Sequence, residues 1–230
     1  MKFDDLEKKI DIRFKNEDLL TESLTHRSYL NEHPDWPVPH NERLEYLGDA
    51  VLELVVTENL YKAFPEDPEG QLTVLRAALV NYQLLARVAS EISLDTFILM
   101  SKGERSDTSK AREVILANAI EAVIGAIYLD QGYEPAKTFA GKFVLPHLQE
   151  ILEKKTYKDA KSELQEIMQD REKTTPHYKV LSESGPAHRR KFTVGVYVGV
   201  RLIGEGSGSS KQEAEVEAAR TALAAEEARK

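Results

Sequence analysis

The chain has 230 residues, no cysteine and a formal net charge of −8, from 31 basic and 39 acidic residues. That length allows one or two domains, with each half able to bury a core of its own. The lack of cysteine excludes disulfides and thiolate chemistry and accords with a reducing cytosol. The start, Met1-Lys2-Phe3-Asp4-Asp5-Leu6-Glu7, lacks the basic flank and apolar run of a signal peptide, so a cytoplasmic protein is expected.

The first distinctive stretch is His33-Pro34-Asp35-Trp36-Pro37-Val38-Pro39-His40, a stiff proline-rich loop. Trp36 is expected to pack it against the domain, with both histidines at the surface. Next, Asn41-Glu42-Arg43-Leu44-Glu45-Tyr46-Leu47-Gly48-Asp49 opens a helix expected to run to about Tyr61. At roughly 100° per residue, Glu42, Glu45 and Asp49 fall within about 60° of one another. Leu44, Leu47, Val51, Leu54 and Val55 form the opposite, core-facing stripe. A solvated acidic face is the ordinary meaning of such a pattern. Gly48 argues for more, because glycine inside a helix costs about 1 kcal/mol relative to alanine and so implies a close approach.

From Val114 to Leu129 the chain is apolar nearly all round, the mark of a helix buried in a core. Asn and Glu interrupt it, and it is too short to span a membrane. Within it Asn118, Glu121 and Gly125 form one stripe. A buried carboxylate needs an ion-pair partner, hydrogen bonds or a metal. Two readings of Glu121 therefore stand: a partner from elsewhere, such as Arg43 or Arg76, or convergence with Glu45 and Asp49. In the second case the oxygen-only ligands Glu45, Asp49, Asn118 and Glu121 suit Mg²⁺ or Mn²⁺, not zinc. Metal-assisted phosphodiester hydrolysis is the chemistry that most often uses such a set.

Glu153 to Asp159 is charged, without an apolar stripe, and is expected to be a linker. A short amphipathic helix, roughly 160–170, follows, then an extended segment at 177–181. Phe192, Val194, Val196 and Val198 alternate as in a half-buried strand. Val198-Gly199-Val200 is expected to turn into a further strand at 201–204, with the glycines of 204–208 open to a loop reading. A last helix begins near Ser209-Ser210, where Ser210 and Glu213 have capping-box spacing. It offers Ala214, Val216, Ala218, Ala219, Leu223 and Ala224 for packing.

Residues 41–49 resemble the signature of ribonuclease III. Leu24-Thr25-His26-Arg27-Ser28-Tyr29 is similar to that family's early helix, and 70–81 and Ser101-Lys102-Gly103-Glu104 also fit its catalytic domain. The resemblance implies metal ligation by Glu45, Asp49, Asn118 and Glu121, with Asp49, Glu121 and Glu42 catalytic and Glu69 at the edge of the RNA groove. It also implies a homodimer in which Tyr46 contacts the partner subunit. The family usually carries Asp where this chain has Asn118, so weaker cation binding is expected. Asp49 and Glu121 remain, and an active site is expected.

The last seventy residues resemble a double-stranded RNA-binding domain in Lys161-Ser162-Glu163-Leu164-Gln165-Glu166, Gly185-Pro186-Ala187-His188 and 206–215. Such domains read A-form shape across two minor grooves and the phosphates between them. The resemblance places Gln165 and Glu166 in one minor groove and His188 with Arg189 in the next. Lys211 and Gln212 fall at the phosphates, where Gln212 replaces a second basic residue and weakens the grip. The implied fold is multidomain: an all-α endonuclease domain at 1–155, then a small α+β domain (α-β-β-β-α) at 156–230. Up to Lys155 there are 18 basic and 27 acidic residues, and beyond it 13 and 12, so the acidic excess lies on the metal-binding half. The expected activity is Mg²⁺-dependent cleavage of both strands of duplex RNA, leaving 5′-phosphate, 3′-hydroxyl and short 3′ overhangs. Precursors of ribosomal and messenger RNA are the expected substrates, with no membrane partner. Two other readings stand beside it: a duplex-RNA binder with a relic site, and a metal-dependent nuclease of single strands or DNA.

Overall fold

The computed structural model describes residues 3–106, 109–154, 160–186 and 190–227, which fall into two compact units, 1–157 and 158–230. The first unit is helical: α1 (Asp4–Ile10), α2 (Glu17–Ser23), α3 (Arg27–Glu32), α4 (Glu42–Ala63), α5 (Glu69–Leu79), α6 (Tyr82–Glu91), α7 (Lys102–Ser106), α8 (Lys110–Gln131), α9 (Tyr133–Phe143) and α10 (His147–Lys154). Several of these helices start where a side chain satisfies a free amide. Asn16, His26, Asn81 and Ser109 each accept a backbone N–H of the first turn.

Helix α8 is the spine of the unit. Ala119, Ile120, Ala122, Val123, Ile124, Ala126 and Ile127 are fully buried, and α2, α4, α6 and α9 pack around them. Such all-round burial follows from the all-round apolar sequence. Among the described residues no helix is long and apolar enough to cross a membrane.

Where α4 crosses α8, the two backbones touch. A Cβ placed on Gly48 would lie 1.7 Å from the Glu121 carbonyl oxygen, and one on Gly125 would lie 2.2 Å from that of Leu44. Only glycine at both positions permits this approach. Further along, Glu58 ties α4 to α9. Its Oε2 accepts from Lys137 Nζ and Tyr133 Oη, each at 2.8 Å, and Oε1 accepts from Lys62 at 2.6 Å. Those bonds, Lys137 first, hold its carboxyl down to about 2.

Two expectations are corrected here. Leu54 does not join the core stripe: it is exposed, whereas Leu44, Val51 and Val55 are buried. The apolar arc of α4 is wider than its buried arc. The segment 24–29 is not one helix, because Thr25 bridges to Leu99 and α3 starts only at Arg27, capped by His26.

The second unit runs α11 (Ala160–Glu172), β1 (His177–Ser184), β2 (Lys191–Val198), β3 (Arg201–Gly208) and α12 (Lys211–Glu227). The sheet is antiparallel in the order β1-β2-β3, with an irregularity between Val180 and Ser182. Phe192, Val194, Val196 and Val198 all face inward, as their alternation requires. Gly199 turns the β2–β3 hairpin at φ +58°.

Residues 204–208 are strand, not loop. A Cβ on Gly204, Gly206 or Gly208 would lie 2.6, 2.1 or 2.7 Å from α12 backbone, so the bare strand face lets that helix lie close. Ala214, Ala218, Ala219 and Ala222 form the facing side, while Ala224, expected to pack, is exposed. The capping box is shifted by one residue. Ser210 Oγ accepts the Glu213 N–H at 3.1 Å, but the Glu213 carboxylate accepts from the N–H and hydroxyl of Ser209. Of the expected linker, Glu153 and Lys154 belong to α10, and 155–159 lie outside the described residues.

Replacing Gly48 with Ala is expected to destabilise the protein by about 3 kcal/mol, the upper end of overpacking costs. Gly70→Ala, with no atom within 4 Å of the new methyl, should stay within about 1 kcal/mol of wild type. Urea melts of the two variants check the contrast, and equal midpoints would contradict the crossing.

Candidate active site and nucleic-acid interface

The glycine crossing puts the polar stripe of α8 beside the acidic face of α4. Glu121 is partly buried between the helices, and its carboxyl is pushed up to about 8. Burial is the main cause, followed by the charges of Asp49 and then Glu45. Among the described residues no cation moves it, so neither Arg43 nor Arg76 serves as its counter-ion. Arg76 instead donates to Thr57 Oγ1 at 3.1 Å.

Glu45, one turn before Gly48, is half-buried and also raised, first by burial and then by the charge of Glu42. Hydrogen bonding from the Asn118 side chain works against that rise, and the Asp49 charge adds to it. The structure thus brings Glu45, Asp49, Asn118 and Glu121 together. Among the described residues no three His, Asp or Glu side chains stand close enough to enclose an ion by themselves. The amide of Asn118 belongs to the same set through its hydrogen bond with Glu45. The donor chemistry, oxygen only with an uncompensated carboxyl, fits a hard divalent cation.

Glu42 stands at the rim. It is exposed, its Oε1 is 3.3 Å from an Arg27 guanidinium nitrogen, and its Oε2 is 3.8 Å from His40 Nδ1. Its charge acts on Glu45 and is absent from the influences on Glu121. Glu69 is exposed at the first position of α5. Tyr46 is 83% exposed on the outer side of α4, where Leu54 and Tyr61 are exposed as well. The proline-rich loop packs as expected: Trp36 Nε1 donates to Thr25 Oγ1 at 3.2 Å, and its ring meets Tyr29 edge-on. The His33 ring centre lies 4.1 Å from that of Tyr29, with the rings tilted by 34°.

In the second unit, Leu164 and Met168 of α11 are buried, while Gln165 and Glu166 face solvent. Lys211 and Gln212 are exposed at the start of α12, with the Lys211 ammonium 5.9 Å from the Phe192 ring centre. The Glu213 amide is taken by Ser210 and the Ser209 amide by Glu213. Lys211 and Gln212 remain exposed between these two bonds. His188 and Arg189 lie outside the described residues.

Residue order alone assigned no role to Arg27 or to the contact of His40 with Glu42. Both are juxtapositions across separate segments, with no periodic signal in the chain.

Comparison with known proteins identifies the family of both units. A family model described as Ribonuclease-III-like matches residues 16–148, and one described as Double-stranded RNA binding motif matches 160–225. The chain is 47% identical over 219 residues to Ribonuclease 3 of Pelotomaculum thermopropionicum, covering 95% of this chain and 90% of the relative. It is 44% identical over 222 residues to Ribonuclease 3 of Bacillus licheniformis, covering 96% and 89%. Among solved structures, the nuclease domain of ribonuclease III from Campylobacter jejuni superposes with a TM-score of 0.57 at 44% identity. The match covers 63% of this chain and 96% of that one.

The raised Glu121 carboxyl has a consequence for stability. Between the ordinary value of 4.5 and about 8 the folded protein holds a proton that the unfolded chain releases. Stability is therefore fully present below that window and is lost as pH rises through it. In metal-free buffer Glu121→Gln, which cannot ionise, should melt higher than wild type above about pH 8 and converge with it near the lower end of the window. Parallel melting curves across that range would contradict the burial and charge crowding described.

Proposed function

The chain belongs to the ribonuclease III family, and from that membership we propose a magnesium-dependent endoribonuclease that cuts both strands of double-stranded RNA. The observation that carries the reading is the convergence of Glu45, Asp49, Asn118 and Glu121 at the α4–α8 crossing, where no cation among the described residues offsets the Glu121 carboxyl. These four residues would hold Mg²⁺, with Mn²⁺ as a substitute. Bound there, the ion supplies electrostatic stabilisation of the phosphodiester and lowers the pKa of water.

The chain's own groups do the rest. Glu45 and Asp49 approach from one helix and Glu121 from the other, so the backbone contact between glycines sets the separation of the oxygens. Asn118 steadies Glu45 and contributes a neutral oxygen, which lowers the charge of the set and weakens its hold on a cation. Glu42 adds charge from the rim, and Asp49, Glu121 and Glu42 are the carboxylates assigned to catalysis. Glu69, at the start of α5, would lie at the edge of the RNA groove.

Residues 1–155 form the catalytic domain and 156–230 the RNA-binding domain in this reading. Gln165 and Glu166 would enter one minor groove, and the β1–β2 connection carrying His188 and Arg189 the next. Lys211 and Gln212 would meet the phosphates between, with strong dependence on salt. Tyr46, Leu54 and Tyr61, within about 80° of one another on α4, supply an exposed apolar stripe that supports a homodimer. The Campylobacter jejuni structure is described as having a region involved in dimer formation. A two-fold dimer would set two sites against opposite strands. Staggered cuts follow from that placement, and 5′-phosphate, 3′-hydroxyl ends with short 3′ overhangs are what the family resemblance implies. Processing of ribosomal and messenger RNA precursors in the cytoplasm is the proposed role.

Purified protein incubated with a long perfect RNA duplex tests this. Short duplexes are expected with Mg²⁺, none with EDTA, and at least about a hundred-fold slower cutting by Glu121→Gln, the scale of losing a group used in the transition state. Binding without cutting across a range of Mg²⁺ and Mn²⁺ would overturn the nuclease reading.

A further inference from the structure

Arg27 is the least explained charged residue near the site. Its side chain is 70% exposed, with one guanidinium nitrogen 3.3 Å from Glu42 Oε1. An exposed ion pair of that kind contributes only about 0–1 kcal/mol to stability. Yet the segment bearing it is held from several directions. The His26 N–H donates to the Leu99 carbonyl at 2.8 Å, the Leu99 N–H to Leu24 at 2.7 Å, and the Asn41 N–H to Thr25 at 2.9 Å. The Ser101 N–H donates to Ser28 Oγ at 3.0 Å, and the Ser28 hydroxyl meets His26 Nδ1 at 2.8 Å. The proline-rich loop closes on the same platform through Trp36 and delivers His40 to the far oxygen of Glu42.

The result is a well-held backbone that presents the Arg27 side chain at the rim of an acidic site. Glu42, its partner, is one helical turn from Glu45 and close enough to raise that carboxyl. A polyanionic strand approaching this site meets a unit with more acidic than basic residues. A cation at the rim favours the approach of such a strand. Arginine suits this position because its planar fork matches phosphate oxygens, and one edge engaged by Glu42 leaves most of the fork open.

We propose that Arg27 binds a backbone phosphate of the duplex RNA strand at the acidic site, held in orientation by Glu42. The proposal rests on the duplex-RNA reading above. Arg27 is a substrate-binding residue in this account, and Glu42 acts on it as a positioning residue in addition to its catalytic assignment.

The test uses the full chain carrying Glu121→Gln, in EDTA, so that binding is measured without cleavage. The affinity for a blunt RNA duplex is followed across a salt series for this parent and for added Arg27→Ala or Arg27→Lys. Arg27→Ala is expected to weaken binding about five-fold and to reduce the salt slope by about one, the loss of one phosphate contact. Arg27→Lys should keep the slope and recover part of the affinity, since it restores charge without the fork. An unchanged slope in Arg27→Ala, with or without a lowered melting temperature, would overturn the proposal. Cleavage by wild type with Mg²⁺ decides the nuclease reading separately, because the binding series does not depend on it.

Discussion

Everything in the catalytic unit depends on two helices touching without side chains between them. At Gly48 and Gly125 the backbones of α4 and α8 approach so closely that a methyl group on either would overlap a carbonyl oxygen of the other helix. Glycine inside a helix costs about 1 kcal/mol, and two in facing helices double the penalty. The core around α8, with its run of fully buried Ile, Val and Ala side chains, offsets that cost. What the approach obtains is chemical: Glu121, part-way inside a hydrophobic unit, comes within electrostatic reach of Glu45 and Asp49. A wider crossing would leave two ordinary surface carboxylates and one isolated buried one. The narrow crossing makes them one group, in which burial and like charges push Glu121 up to about 8.

The second unit uses the same device for a different end. Gly204, Gly206 and Gly208 alternate along β3 and present a bare strand face to α12, whose Ala214, Ala218 and Ala222 complete the contact. Here the small residues carry no chemistry. They fix how closely the helix lies on the sheet, and with it where its first turn projects. The shifted cap then assigns the amides of that turn. Ser210 and Glu213 consume two donors, leaving Lys211 and Gln212 outermost. Packing in both units therefore sets the position of polar groups that face outward or into a cleft.

Most of this was legible in residue order where a period or a penalty left a trace. Gly48 stood out because a mid-helix glycine is costly, and the inference of close approach holds. The all-round apolar run around Glu121 marked burial, and the alternation from Phe192 to Val198 marked the inner face of β2. The failures have physical reasons too. Leu54 has the right spacing for the core stripe but falls outside the arc that α8 and its neighbours cover, so it is exposed. The glycines of 204–208 suggested a loop because glycine disfavours strands, and their true cause, contact with α12, is not visible locally. The start of α3 at Arg27 was hidden because Thr25 pairs with Leu99, seventy-four residues away along the chain. The Arg27–Glu42–His40 grouping likewise joins three segments that no local pattern relates.

The central claim is that the α4–α8 crossing builds one cation site from Glu45, Asp49, Asn118 and Glu121. Anomalous diffraction from crystals of the protein soaked in Mn²⁺ addresses it most directly. The account predicts a peak in the α4–α8 cleft, within coordinating distance of carboxylate oxygens from both helices, and its loss in Glu121→Gln crystals. Crystals that bind Mn²⁺ only away from that cleft, or on one helix alone, would contradict it.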